Sequence, residues 1–373
     1  MKLVIDCSIL RNPGTGVEHY TCRLVESLRG LDPILIRPDR LDHPLFDGSR
    51  THRLPRRPQF PGARTAFAVL APPRMPAADV IHLPAPEAPF VRKPPARLVI
   101  SVHDITPLLF PHWHTRWRVA YFRLVVRRLI RMADAVLASS RSTRRDLVSR
   151  LNIPKTRVHV VYPGVADRFR PCRRDRRLLE GYGIREPYLL TVGTVEPRKN
   201  IARLVEAYGR VRPDALLVVV GGKGWHSSSI FRTVSRAGLS GRVIFTGYVP
   251  DDHLPQIYSS ARAFLYPSLY EGFGFPVLEA MRCGTPVVTA DRSSTAEIAG
   301  GAALLVDPGS ASAIGRAMRR ILSDEDLRHE LIQNGLRQAA GFTWARCAQQ
   351  TAAVYAALTG VDDDPAGADS AKG

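Results

Sequence analysis

Two glutamates, Glu271 and Glu279, stand eight positions apart in the segment EGFGFPVLE, with a Gly-Phe-Gly loop and Pro276 among the seven residues between them. Glycines at 272 and 274 allow backbone to approach a ligand closely, because they carry no side chain and tolerate unusual dihedrals. Pro276 suits the first position of a helix, where its missing N–H costs nothing. The helix would run through PVLEAMRC and stop near Gly284-Thr285-Pro286. Glu271 then sits in a loop at a helix N-terminus, and Glu279 lies about one turn inside. The positive end of the helix and two acceptor-only side chains converge there. A ligand rich in hydroxyls and carrying phosphate would satisfy all of them.

A second chemical segment is Gly193-Thr194-Val195-Glu196-Pro197-Arg198-Lys199-Asn200, which follows the apolar run YLLTV. Asn200 reads as the N-cap of the next helix. Arg198 and Lys199 would then lie at a helix N-terminus just past a strand end, where cations and unpaired N–H groups suit a diphosphate. A solvated basic turn is the alternative; the glutamate pair downstream favours phosphate. Asn12-Pro13-Gly14-Thr15-Gly16 opens a helix after the first strand, but His19 stands where a dinucleotide fingerprint needs glycine, which disfavours a nicotinamide enzyme. A glycine loop over phosphates fits, with Gly16 as the contact, against an ordinary strand–helix turn. The loop GGKGW at 221–225 lacks the spacing and final Ser/Thr of a Walker A motif. His103, with Asp104, ends the run RLVISV, where an imidazole can bond a hydroxyl or shuttle a proton; a capping or packed histidine is the alternative.

The elements that must position these residues alternate along the chain. KLVIDC, PILIRP, DVIHLP, RLVISVHD, AVLASS and VHVVYPG read as strands, and VEHYTCRLVESLRGL and WRVAYFRLVVRRLIRMAD as helices. The segment 40–75 is rich in Pro and Arg and is expected to be irregular. After the charged stretch RFRPCRRDRRLLEGYGIREP the alternation restarts with PYLLTVG, ALLVVVGG, RVIFTG, AFLYPS, PVVTA and AALLVDP. Such alternation means parallel sheets covered by helices, hence two doubly wound α/β domains that bind ligands at the carboxyl ends of their strands, in an interdomain cleft.

The set EGFGFPVLEA, TVGTVEPRKN, VVGGKGW and FTGYVPDDHLPQIYSSARAFLYPSLYEG resembles the retaining GT-B glycosyltransferases grouped as glycosyltransferase family four. The likeness is dense over about 188–345 and thinner over 1–165. It implies two facing Rossmann-like domains: 1–168 for the acceptor, completed by a crossover helix at about 345–358, and 188–344 for the nucleotide sugar, joined by a linker at 169–187. The tail 360–373 is expected to be disordered. The resemblance implies that Arg198 and Lys199 neutralise the departing diphosphate and that Glu279 holds the ribose. Glu271, with Gly272, Phe273, Gly274 and Phe275, would hold the transferred sugar. His103 would lie beside that sugar, the loop with Lys223 close to the nucleotide, and Tyr248-Val249 along the base. Gly16, Gly193 and Leu278 complete the donor set.

The expected activity is transfer of a hexose, mannose from GDP-mannose being the choice, to a glycan or lipid-linked acceptor in polysaccharide or lipopolysaccharide assembly. Neither a cofactor nor a metal is expected, since no Asp-x-Asp stands at a strand end. Rival readings are a nucleotide-sugar epimerase of GT-B fold and a basic nucleic-acid-binding protein; the second lacks any recognition motif, so nucleic acid is not an expected partner.

The net charge of +19 draws polyanions. Around 114–133, Arg116, Arg118, Arg123, Arg127, Arg128 and Arg131 interleave with Trp117, Tyr121, Phe122 and Leu124. Such a helix can lie on an anionic membrane or pack with a solvated basic face; the charge surplus favours the membrane. No apolar run approaches the ~18 residues of a spanning helix, and MKLVIDCSIL reads as a first strand rather than a signal peptide. Five scattered cysteines argue for a reducing compartment. The expected location is cytoplasmic, peripheral at the inner membrane face.

Overall fold

Side-chain alternation along the first strand divides the N-terminal core in two. The computed structural model describes residues 1–10, 16–38, 41, 43–53, 75–87, 92–224 and 228–360. In β1 (Leu3–Asp6), Leu3 and Ile5 join one buried cluster with Leu24, Val25 and Tyr355, while Val4 joins another with Ile81, Ile100, Phe122 and Leu147. Side chains of period two, apolar on both faces, are what a parallel sheet covered by helices on each side requires.

This first unit comprises residues 1–163 and 344–373. Its other strands are β2 (Ile34–Arg37), β3 (Thr51–Arg53), β4 (Val80–Leu83), β5 (Arg97–Val102), β6 (Ala135–Ala138) and β7 (Val158–Val160). They lie in the order β3-β2-β1-β4-β5-β6-β7, every pairing parallel. The edge strand β3 is short and half-exposed and has no apolar run to announce it. The helix Trp344–Thr359 packs on the helix Gly16–Ser27 of this unit.

The second unit, residues 164–343, holds β8 (Tyr188–Val192), β9 (Leu216–Val220), β10 (Val243–Gly247), β11 (Ala263–Tyr266), β12 (Val287–Ala290) and β13 (Leu304–Val306). Their order is β10-β9-β8-β11-β12-β13, again all parallel. Strand order reverses between β8 and β11, and the loops leaving two such neighbouring strands flank the crevice where open α/β sheets bind ligands.

The boundary corrects the expected linker at 169–187. That stretch belongs to the second unit and contains a helix, Arg176–Gly181. Phe169, Leu179 and Ile184 are buried, while Arg173, Arg174, Arg176, Arg177 and Arg185 are exposed. The charges that suggested a linker are the outer face of an anchored segment.

The basic helix begins later than expected, at Arg116, and runs to Met132 through a π-turn at Phe122–Val126. Among the described residues no helix is long and apolar enough to cross a membrane. All five cysteines are unpaired, with Cys7, Cys283 and Cys347 buried. Most of the irregular segment 40–75, the loop 12–15, Trp225 and the tail from 361 lie outside the described residues.

Candidate active site

Strands β8 and β11 are hydrogen-bonded neighbours, so the loops that leave their carboxyl ends must meet. The β8 loop carries Gly193 to Lys199; the β11 loop carries Ser268 to Gly274. Where they meet, Glu271 is buried at 6% exposure, a costly place for a carboxylate unless it is paired. Arg198 Nη1 reaches its Oε2 at 2.5 Å and Lys199 Nζ reaches its Oε1 at 2.7 Å. Ser268 Oγ and the Tyr266 hydroxyl donate to the same Oε1 at 2.6 and 2.9 Å. Burial alone would raise the Glu271 carboxyl, but Arg198 and Lys199 outweigh it and hold the group at about 2.

Both cations are held in turn. Lys199 donates to the Tyr266 hydroxyl at 2.5 Å and lies 5.0 Å from the centre of that ring. Burial and the neighbouring Arg198 charge push its ammonium below the usual lysine range. Arg198 also pairs with Glu196 at 2.8 Å. Two cations against two carboxylates make a balanced set. A diphosphate arriving here would take its charge compensation by drawing the cations off their carboxylates, and from backbone N–H groups at the helix start.

Arg198 and Lys199 stand in a single 3-10 turn, Pro197–Lys199, rather than in the first turn of the following helix. Asn200 does not cap that helix with its side chain, which corrects the N-cap reading. Its backbone is left-handed (φ 59°), and its Nδ2 donates to the carbonyls of Pro267 and Pro308 at 2.9 and 2.7 Å, tying the ends of β11 and β13 to the β8 loop. At Gly193 (φ 146°) a Cβ would lie 3.2 Å from Lys199 Cε. At Gly221 it would lie 2.2 Å from the Gly193 carbonyl oxygen, so the GGKG loop and the β8 loop run in backbone contact. Lys223 Nζ lies 5.4 Å from the Phe231 ring centre.

The helix after the glycine loop runs from Phe275 to Arg282, so Phe275, not Pro276, takes its first position. Gly274 caps it at φ 109°, a conformation that favours glycine. The Phe273 and Phe275 rings meet edge to face at 4.9 Å. Glu279, half-buried, accepts from the Tyr258 hydroxyl at 2.9 Å. Burial raises its carboxyl to about 7, against the Tyr258 bond, with Asp251 adding to the rise and Arg168 opposing it. Gly272 is buried in the same loop. Leu278 is fully buried and Val249 is 3% exposed, while the neighbouring Tyr248 is exposed.

Gly16 and His103 belong to the first unit. Gly16 begins the helix Gly16–Ser27, with open space where a Cβ would stand. His103 Nε2 donates to the Pro84 carbonyl at 3.0 Å, which leaves Nδ1 as the acceptor of the neutral ring. Burial pushes this imidazole below the usual histidine range. Asp104 accepts from Thr106 N–H at 2.9 Å and from its hydroxyl at 2.7 Å. Sequence reasoning missed Tyr266, Ser268 and Tyr258, which hold the two glutamates; the Ser268-to-Glu271 spacing of three was the available signal.

Residues 180–338 match the model of glycosyl transferases group 1, and residues 14–169 match that of glycosyltransferase family 4. The O-antigen chain mannosyltransferase B of Escherichia coli is 35% identical over 269 residues, 70% of this chain and 71% of that protein. The chain belongs to the group 1 glycosyltransferases. A serotype-specific mannosyltransferase, WbdA of Escherichia coli, is 31% identical over 72% of this chain, which spans only 34% of that longer relative. Among solved structures, Anabaena Alr3699/HepE in complex with UDP and glucose aligns with TM-score 0.75 at 19% identity, covering 96% of this chain and 100% of that one. This likeness establishes the GT-B fold for the group 1 glycosyltransferase.

Proposed function

We propose that this group 1 glycosyltransferase moves mannose from GDP-mannose, with retention of configuration and without a metal, to a hydroxyl of a glycan or lipid-linked acceptor in O-antigen or related polysaccharide assembly. The observation that carries the reading is the meeting of Arg198, Lys199 and Glu271 on adjacent strand ends. The named mannosyltransferase relatives support the choice of sugar.

In this reading the bond from the anomeric carbon to the diphosphate breaks, and negative charge grows on the departing oxygen. Arg198, Lys199 and the N–H groups of the glycine loop stabilise that charge, the largest electrostatic change along the reaction. Glu271 gives up its cations to the phosphates and takes hydroxyls of the sugar. The acceptor oxygen bonds to the same face of the anomeric carbon, and its proton leaves on the diphosphate. Glu279 accepts from the ribose hydroxyls, and His103 is the hydroxyl-bonding group that the first unit offers to a sugar.

The helical stretch Arg116–Met132 supports peripheral attachment to an anionic membrane at its cytoplasmic face, where a lipid-linked acceptor would be met. Trp117 and Leu124 are exposed there at 53% and 75%, among the exposed Arg116, Arg118, Arg123, Arg128 and Arg131.

The test is a thermal-shift panel with GDP, UDP, ADP and TDP and their sugar conjugates, followed by transfer assays in excess EDTA. A ligand at a hundred times its Kd adds about 2.7 kcal/mol of stability. Selective stabilisation by GDP and GDP-mannose, with transfer surviving EDTA, is the expected result. Selective response to another nucleotide overturns the donor, and loss of transfer in EDTA overturns metal independence.

A further inference from the structure

Beneath His103 the first unit buries a polar chain that the transfer reaction does not itself use. His82 stands fully buried in β4, among Val80, Ile81 and Leu83. Its Nδ1 lies 2.5 Å from the Tyr355 hydroxyl and its Nε2 lies 2.8 Å from Ser101 Oγ on β5. Ser101 Oγ in turn lies 2.9 Å from the Tyr20 hydroxyl. Three hydrogen bonds thus pin the helices Gly16–Ser27 and Trp344–Thr359 to strands β4 and β5. The chain ends at His103, because the Tyr20 ring meets that imidazole edge to face at 4.5 Å. Trp344, at the other end of its helix from Tyr355, packs on the same Tyr20 ring at 5.8 Å.

Stability alone is a poor reason for such a chain. Apolar residues of the same shape in place of both partners of a buried hydrogen bond can be nearly neutral, whereas a satisfied polar network fixes one arrangement of the groups it joins. Burial, with the nearby His103 charge, pushes the His82 imidazole down to about 3, so the chain stays uncharged and delivers no proton. What it fixes is the tilt of Tyr20, and the Tyr20 ring is what the His103 imidazole packs against. The Pro84 carbonyl that accepts the hydrogen bond from His103 Nε2–H follows β4 two residues after His82.

We propose that Tyr20, Ser101, His82 and Tyr355 are positioning residues that set the ring plane of His103, whose Nε2–H is held by the Pro84 carbonyl. The inference rests on the reading of His103 as a sugar-side group, and its test separates the two. Tyr20→Phe and Tyr355→Phe keep the rings and delete one hydroxyl each, at opposite ends of the chain. In the full-length protein labelled with nitrogen-15 histidine, both variants are expected to shift the His103 ring signals while keeping the Nε2–H pattern that the Pro84 carbonyl holds. Each should lower kcat roughly tenfold while leaving donor KM within about twofold. The double variant should fall little below the worse single one, since both cut the same chain. Unaltered His103 signals and kcat in both variants, whatever the loss of melting temperature, overturn the proposal and leave a packing role. If the wild-type protein transfers nothing, the function proposed above has failed instead, and the His103 signals alone still decide this inference.

Discussion

Lys199 and Glu271, 72 positions apart, meet at 2.7 Å with both side chains almost closed to solvent. A pair so buried is held because each partner satisfies the other, and breaking one half leaves an uncompensated charge. The contact follows from topology, since the strands β8 and β11 that carry the two loops are adjacent and parallel.

Lys199→Ala is expected to lower kcat by ~10²–10³, the usual cost of one donor aimed at developing charge. The fold should survive, because Glu271 keeps Arg198, Tyr266 and Ser268 as partners. Glu271→Leu should cost more stability, on the order of 3 kcal/mol, since it strands a buried ammonium. Denaturant unfolding beside steady-state kinetics checks both, and wild-type turnover in Lys199→Ala would mean the site lies elsewhere.

Gly221→Ala should unfold or distort the site, whereas Gly222→Ala should be near neutral. A methyl at 221 meets the Gly193 carbonyl oxygen at 2.2 Å on a backbone of φ +140°, while one at 222 meets nothing within 4 Å. Strain of that kind costs roughly 1–3 kcal/mol before the clash is added. Comparing the melting temperatures of the two variants is the check; equal values would contradict the contact between the two loops.

Twelve of the thirteen strands among the described residues are legible in the sequence as short apolar runs, because parallel strands buried on both faces need such residues. The missed strand, Thr51–Arg53, is an exposed edge with no apolar demand on it. The chemistry of Arg198, Lys199, Glu271 and Glu279 is legible from residue type and spacing, but their pairing is not. That Glu271 holds both cations depends on which strands are neighbours, which no local pattern states. Asn200 misled for a related reason: its amide serves two distant carbonyls rather than the helix beside it. The charged run at 168–187 read as a linker because its three anchoring residues are spread thinly among exposed arginines.

Trp117→Glu with Leu124→Glu should abolish binding to vesicles rich in anionic lipid and leave transfer to a soluble acceptor intact. Both residues are exposed and belong to no core cluster, so the fold loses nothing by the change. Insertion of the two apolar groups and attraction of the arginines act together, so binding should also weaken with salt. Co-sedimentation with anionic and neutral vesicles decides it. Undiminished binding by the double variant would remove this helix from the interface.

The two glutamates should give opposite signatures with pH. Glu271, held at about 2 against an ordinary 4.5, adds stability that is complete above 4.5 and is lost as pH falls toward 2. Glu279, raised to about 7, makes the folded protein bind a proton that the unfolded chain releases at 4.5, so stability falls as pH rises between those values. Ribose hydroxyls donate to a carboxylate and not to a neutral acid's O–H. Nucleotide affinity should therefore rise about tenfold per pH unit below 7 and level off above it. Burial raises that value, Asp251 adds to the rise, and Tyr258, Arg168 and Lys199 oppose it, so the slope belongs to the group they surround. Calorimetric titration with nucleotide from about pH 6 to about pH 8 measures the slope directly. Glu279→Gln should bind more weakly and lose the dependence, whereas a slope that persists in this variant would place the titrating group elsewhere.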